Sequence, residues 1–86
     1  MTDTAYNGHK NWQWWNVSLW INNEESMYFP FHEAAEQAAY MKITRQQALD
    51  LVMDCLPDTT PEGAEITREI VQHYLNDEID ECIRYS

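Results

Sequence analysis

The chain has 86 residues, the size of a single domain over 1–86, and 44% of them are hydrophobic, which is enough to form a core and argues against disorder. Fifteen acidic side chains against five basic ones give a formal net charge of −10. This charge excludes non-specific binding to nucleic acids and to anionic membranes, because phosphates would be repelled, and it predicts basic partners.

The N-terminal residues and the cysteines bear on location. Residues 1–10 are predicted to form a loose N-terminal arm, and they lack the basic and apolar run of a signal peptide. No segment of the sequence reaches transmembrane length. We therefore expect a cytoplasmic protein whose two cysteines, Cys55 and Cys82, are free thiols.

The first element of the chain can be interpreted in two ways. Asn11 is a good N-cap, and three apolar residues after it share one helical face: Trp12, Trp15 and Leu19. The same stretch also alternates apolar and polar residues, as strands do. The well-placed cap favours a helix over 11–22. The alternative is an α+β fold with an N-terminal hairpin at about 14–31.

Three further helices follow from capping signals. Asn23 is expected to cap the second helix, Thr44 and Gln47 form a capping box, and Thr60 with Pro61 is typical of a helix start. These signals predict helices at 24–40, 44–56 and 61–84. The expected fold is a small all-α four-helix bundle. Its predicted core consists of Trp12, Trp15, Leu19, Phe31, Leu49, Val52, Ile66, Ile70 and Tyr74.

Acidic residues are concentrated in the predicted fourth helix, which contains seven of them and only two basic residues, Arg68 and Arg84. Most recur at three- and four-residue steps and would share one face. Several lie near the negative end of the helix dipole, where carboxylates are unfavourable, so stability alone does not explain them. The candidate partner-binding residues are Glu62, Glu65, Glu69, Asp77, Asp80 and Glu81, extended by Asp50, Asp54 and Asp58. The alternative interpretation is a solvated helix face.

No motif indicates catalysis or a metal site. Glu65, Glu69, His73 and Asp77 recur every four residues, but no sharper spacing such as His-Glu-x-x-His is present. His9 and His32 have no evident partner. Cys55 and Cys82 lie on or near apolar faces, without a basic cluster that would activate a thiol. We therefore expect a protein that is not an enzyme and has neither a metal ion nor a cofactor.

All four tryptophans lie within residues 11–28. They exceed what one helix face can bury, and Trp14 and Trp20 fall partly off the stripe of Trp12 and Trp15. Core positions are the simplest interpretation. The alternative is an aromatic anchor for a partner or for a second copy of the chain in a homodimer, since Trp is enriched at binding hot spots.

The same stretch resembles a group of small acidic proteins found on phages and other mobile elements. Their motif is Asn-Tyr/Trp-x-x-Trp-x-Val-x-Leu-Trp-Ile-x-Asn-Asp/Glu-Glu, often followed by a hydrophobe and Tyr. The matching positions here are Asn11, Trp12, Trp15, Val17, Leu19, Trp20, Ile21, Asn23, Glu24, Glu25, Met27 and Tyr28. The resemblance implies a mobile-element setting, in which small acidic domains often inhibit host nucleases, anti-CRISPR proteins among them.

Charge and resemblance together predict a stoichiometric inhibitor of a host nucleic-acid-binding defence complex, of the anti-CRISPR or anti-restriction type. Its acidic surface would occupy the DNA- or RNA-binding groove of a basic host protein or ribonucleoprotein complex in the host cytoplasm. The inhibitor itself would bind no nucleic acid and no membrane. The alternative is a small phage structural or regulatory protein that binds through its Trp-rich face.

Overall fold

The computed structural model describes residues 9–84, and this part of the chain contains four α-helices and no strand. They are α1 (Trp12–Asn23), α2 (Glu25–Ala39), α3 (Arg45–Cys55) and α4 (Arg68–Arg84). The all-α prediction is confirmed. The alternative hairpin at about 14–31 is wrong, because α1 and α2 occupy that stretch.

Two of the predicted caps are present. The side chain of Asn11 accepts a hydrogen bond from the first turn of α1, and Thr44 and Gln47 make both bonds of the capping box on α3. The prediction for Asn23 is wrong: it is the last residue of α1, and its amide donates to the Leu19 carbonyl at 2.8 Å. A bond within its own helix satisfies this side chain, so it does not cap α2.

The fourth helix begins at Arg68 rather than at residue 61. The Gly63 N–H donates to the Thr60 carbonyl at 2.9 Å, which closes a four-residue turn. Pro61 at the second position and a glycine at the fourth suit such a turn, and Gly63 has a positive φ of 98°. The turn at residues 60–63 therefore lies outside α4. The hydroxyl that accepts a hydrogen bond from the first turn of α4, from the Ile70 N–H, belongs to Thr67 and not to the predicted cap, Thr60.

The helices pack around α2, which contacts each of the other three. Small residues at the contacts allow the helices to approach closely: Ala34, Ala35 and Ala48 are all buried. The remaining core is mainly aliphatic and comprises Val17, Ile21, Phe31, Leu49, Val52, Ala64, Ile66, Ile70, Val71, Leu75 and Ile79. Within residues 9–84, no helix has both the length and the apolar run that crossing a bilayer requires.

Part of the predicted core lies on the surface. Trp12 and Leu19 are 40% and 36% exposed, so their assignment to the core is wrong. The face of α1 that is turned inward carries Val17 and Ile21, and at about 100° per residue Trp12 and Leu19 lie roughly opposite it. Two further members, Trp15 and Tyr74, are only partly buried, whereas the other five are buried as predicted: Phe31, Leu49, Val52, Ile66 and Ile70.

The predicted N-terminal arm lies largely outside the described residues. Its last two residues contact the bundle. His9 Nδ1 lies 2.6 Å from the Tyr74 hydroxyl, and the Lys10 ammonium lies 5.1 Å from the centre of the Trp14 ring. Residues 9 and 10 therefore contact α4 and α1, respectively.

The outward position of Leu19 can be tested with two identical substitutions. Leu49 is 2% exposed, so Leu49→Ala is expected to lower the free energy of unfolding by about 2–5 kcal/mol through lost burial and a residual cavity. Leu19→Ala is expected to cost less than half as much. Urea denaturation measures both values, and equal losses would contradict the position of α1.

Candidate functional site

The nine candidate acidic residues are all exposed to solvent. We call them the acidic surface. They lie on three successive elements: Asp50 and Asp54 on α3, Asp58, Glu62 and Glu65 in the connection, and Glu69, Asp77, Asp80 and Glu81 on α4. The sequence predicted that Glu62 and Glu65 belong to the fourth helix. This is wrong, because the turn at Gly63 precedes α4 and both residues lie in the connection.

Two cross-helix ion pairs place α3 and α4 antiparallel. Arg45 at the start of α3 contacts Asp80 near the end of α4 at 2.8 Å, and Arg68 at the start of α4 contacts Asp50 at the same distance. The four side chains are roughly half exposed, so each pair adds only about 0–1 kcal/mol to stability. Their effect on the acidic surface is larger, because they neutralise two of its nine carboxylates.

The α4 part of the acidic surface follows the predicted periodicity. At about 100° per residue, Glu69 and Asp80 lie within about 20° of each other around the helix, with Asp77 to one side and Glu81 at the flank. Asp77 lies 3.8 Å from the ring of His73, one turn earlier. Glu69 and Asp80 are about 16 Å apart along the axis, because each residue rises by about 1.5 Å.

Glu62 has a structural role that the sequence did not indicate. Its Oε1 accepts hydrogen bonds from Asn16 Nδ2 at 2.6 Å and from Trp20 Nε1 at 3.0 Å. The fully buried Asn16 in turn accepts from the Thr60 hydroxyl at 2.6 Å, and that hydroxyl also accepts from the Ala64 N–H. This network fixes the connection against α1. The two bonds to Glu62, that from Asn16 being the larger effect, lower the pKa of its carboxyl.

The sequence contained no signal for this network, because the partners that join α1 to the connection are 42 to 46 residues apart. The same limit applies to the histidines, which were expected to lack partners. His9 contacts the Tyr74 hydroxyl, and His32 Nδ1 lies 2.6 Å from Glu78 Oε2. Cys55 is exposed on α3, beside a depression that Pro30, Ala34 and Leu51 also line, whereas Cys82 is half-buried.

Five carboxylates of the acidic surface make no side-chain hydrogen bond or ion pair within residues 9–84. They are Asp54, Asp58, Glu65, Glu69 and Glu81. They are spread over α3, the connection and α4, so charge remains unpaired on each element. A surface of this kind can attract a basic partner.

The bond between Glu62 and Trp20 can be tested by titration. Because the fold favours the ionised form of Glu62, this carboxyl protonates at a lower pH in the folded protein than in the unfolded chain. Its stabilising effect is thus present above the unfolded pKa and is lost as the pH falls through the folded pKa. We expect the indole N–H resonance of Trp20 to shift in that acidic range, and Glu62→Gln to abolish the shift. An unchanged profile in Glu62→Gln would contradict the network.

Comparison with known proteins identifies the family but no characterised relative. No curated protein and no solved structure matches the chain significantly. A family model described as a family of unknown function, DUF7249, matches residues 2–84. Because this match covers nearly the whole sequence, the chain belongs to the DUF7249 family of unknown function.

Proposed function

We propose that the protein is a stoichiometric inhibitor of a host nucleic-acid-binding defence complex, of the anti-CRISPR or anti-restriction type, and that it is not an enzyme. One observation carries this proposal: nine exposed carboxylates lie on α3, α4 and their connection, within a chain of net charge −10. The resemblance of residues 11–28 to mobile-element proteins supplies the biological setting. The expected target is a basic groove that normally binds DNA or RNA, in the host cytoplasm.

The length of α4 limits how much nucleic acid the acidic surface can imitate. Glu69 and Glu81 are about 18 Å apart along the helix axis, at about 1.5 Å per residue. One DNA strand places about five phosphates over that length, at about 3.4 Å each. The acidic surface has four carboxylates on α4, fewer than these phosphates, so α3 and the connection would supply the remaining charge. The acidic surface thus resembles a short segment of one strand.

An exposed face of α1 favours a second candidate function. Trp12 and Leu19 lie two turns apart on the same face and are 40% and 36% exposed. Exposed aromatic residues are common anchors of protein interfaces. In this alternative, the protein is a small phage structural or regulatory protein that binds a partner or a second copy through this face. Trp14 and Trp20, which the sequence suggested as anchors, are half-buried and contact His73 and Glu62 instead.

Charge reversal distinguishes the two functions. We expect the triple variant Glu65→Lys, Glu69→Lys and Glu81→Lys to weaken target binding by at least about 100-fold, since repulsion replaces attraction and can cost several kcal/mol in total. All three carboxylates are unpaired within residues 9–84, so the fold is expected to persist. The matched control is Glu24→Lys, Glu25→Lys and Glu33→Lys, which changes the net charge equally on another part of the surface. Equal loss in both variants would contradict a specific acidic site, and no loss in either would favour the α1 face.

Salt and polyanion competition provide an independent test. Binding through carboxylates is expected to weaken about 10-fold or more between about 50 and 200 mM salt, because screened charge attraction supplies much of its energy. Excess duplex DNA is expected to displace the protein from its captured target, and the purified target is expected to lose DNA or RNA binding at a one-to-one ratio. The proposal would be contradicted if binding did not depend on salt and DNA did not displace the protein from its target. Loss of that binding in Trp12→Ala would then assign it to the exposed face of α1.

A further inference from the structure

Four side chains with metal-binding chemistry meet between α2 and α4. His32 and Glu36 lie one turn apart on α2, and Glu78 and Cys82 lie one turn apart on α4. Potential ligand atoms of His32, Glu78 and Cys82 all lie within 4.8 Å of one another. Helical bundles build their metal sites in this way, from side chains on facing helices.

We propose that His32, Glu78 and Cys82 form a binding site for a divalent transition metal ion, with Zn²⁺ as the preferred ion. Imidazole nitrogen, carboxylate oxygen and thiolate sulfur are the three ligand types that proteins use for zinc. Tetrahedral ligands about 2.0–2.3 Å from zinc are about 3.3–3.8 Å apart. His32 Nδ1 and Glu78 Oε2 are only 2.6 Å apart, so they would have to separate by about 0.7 Å to bind one ion, a shift that side-chain rotation can supply. Three ligands leave a fourth position for water or for a group from a partner.

Contacts around His32 fix its ring in an orientation that suits a ligand. The ring stacks on Tyr28, with 5.4 Å between centroids and 12° between planes. Its Nδ1 is directed at Glu78 Oε2, 2.6 Å away, while Nε2 lies 3.5 Å from Glu36 Oε2. Metal-binding histidines usually donate their second ring N–H to a carboxylate. Nδ1 therefore faces the proposed ion, and Glu36 is the positioning residue for Nε2–H.

The electrostatic surroundings favour a cation at this point. The carboxylates of Glu78, Glu36 and Glu81 lie around the Cys82 thiol and give this region a concentration of negative charge. A divalent ion would offset this concentration of negative charge. On binding, the Cys82 thiol releases its proton to water. The His32 proton moves through solvent from Nδ1, where it bonds to Glu78 in the metal-free protein, to Nε2, facing Glu36, so the ring stays neutral. The side chains of His32 and Glu78 are 34% and 21% exposed, so an ion can reach them from solvent.

Zinc titration with paired cysteine variants tests the site. The reduced, metal-free full chain is titrated with Zn²⁺ against a chromophoric chelator, with excess Mg²⁺ present to occupy isolated carboxylates. We expect one Zn²⁺ per chain. Cys82→Ser is expected to lower the affinity by more than about 100-fold, beyond the range for outer-shell partners. Cys55→Ser is the matched control, because that thiol is exposed on α3, and it is expected to bind as the parent does.

A second pair of variants tests the histidine. His73 and Asp77 form another histidine–carboxylate pair one turn apart on α4, at 3.8 Å, and within residues 9–84 no third potential ligand joins them. We expect His32→Gln to lose zinc affinity as Cys82→Ser does and His73→Gln to retain it. Glu36→Gln is expected to lower the affinity about 10- to 100-fold while keeping one site per chain, as loss of an outer-shell partner does.

Cobalt binding to the parent chain decides the outcome even if a variant fails to fold. We expect Co²⁺ to produce a thiolate-to-metal charge-transfer band that Cys55→Ser retains and Cys82→Ser loses. Absence of this band in the parent would overturn the proposal. Equal zinc affinity in folded Cys82→Ser and Cys55→Ser, or displacement of Zn²⁺ by Mg²⁺, would also overturn it and would assign the binding to surface carboxylates.

Discussion

The buried side chain of Asn16 is the constraint on which the position of α1 depends. An amide without hydrogen bonds in an apolar core costs several kcal/mol, so its burial requires partners. Thr60 and Glu62 supply them, and both belong to the connection between α3 and α4. Gln13 and Trp20, on the same face of α1, also bond to that connection. Folding of the connection and docking of α1 are therefore coupled.

This coupling explains the exposed aromatic face. α1 is covered on one side by the connection and on another by α2 and α4, where Trp14 lies against His73 and Tyr74 of α4. Val17 and Ile21 fill the core between these two sides. The face of α1 that no other element within residues 9–84 covers contains Trp12 and Leu19, so these two side chains remain exposed to solvent. An apolar exposed face can thus result from satisfying polar groups elsewhere on the same helix.

The acidic excess has two different uses in this protein. Glu62, Asp50 and Asp80 hold elements together through bonds to Asn16, Arg68 and Arg45, and Glu78 does so through His32. The unpaired carboxylates of the acidic surface make no such contribution within residues 9–84, and their mutual repulsion works against compactness. Their presence is the physical reason to look for a basic partner. The cluster around His32 and Cys82 offers a separate way to offset negative charge, through a metal ion.

The sequence by itself determined the features that depend on neighbouring residues. The caps at Asn11 and Thr44, the amphipathic patterns of α2 to α4 and the aliphatic core of α3 and α4 all follow from short-range spacing, so the all-α fold was predictable.

Tertiary structure decided the rest. α1 is apolar on every side, so periodicity could not choose its buried face. The contacts of Asn16 with Thr60 and of His32 with Glu78 join residues more than 40 positions apart. Such pairings arise only when helices pack, because chain proximity and local patterning carry no information about them.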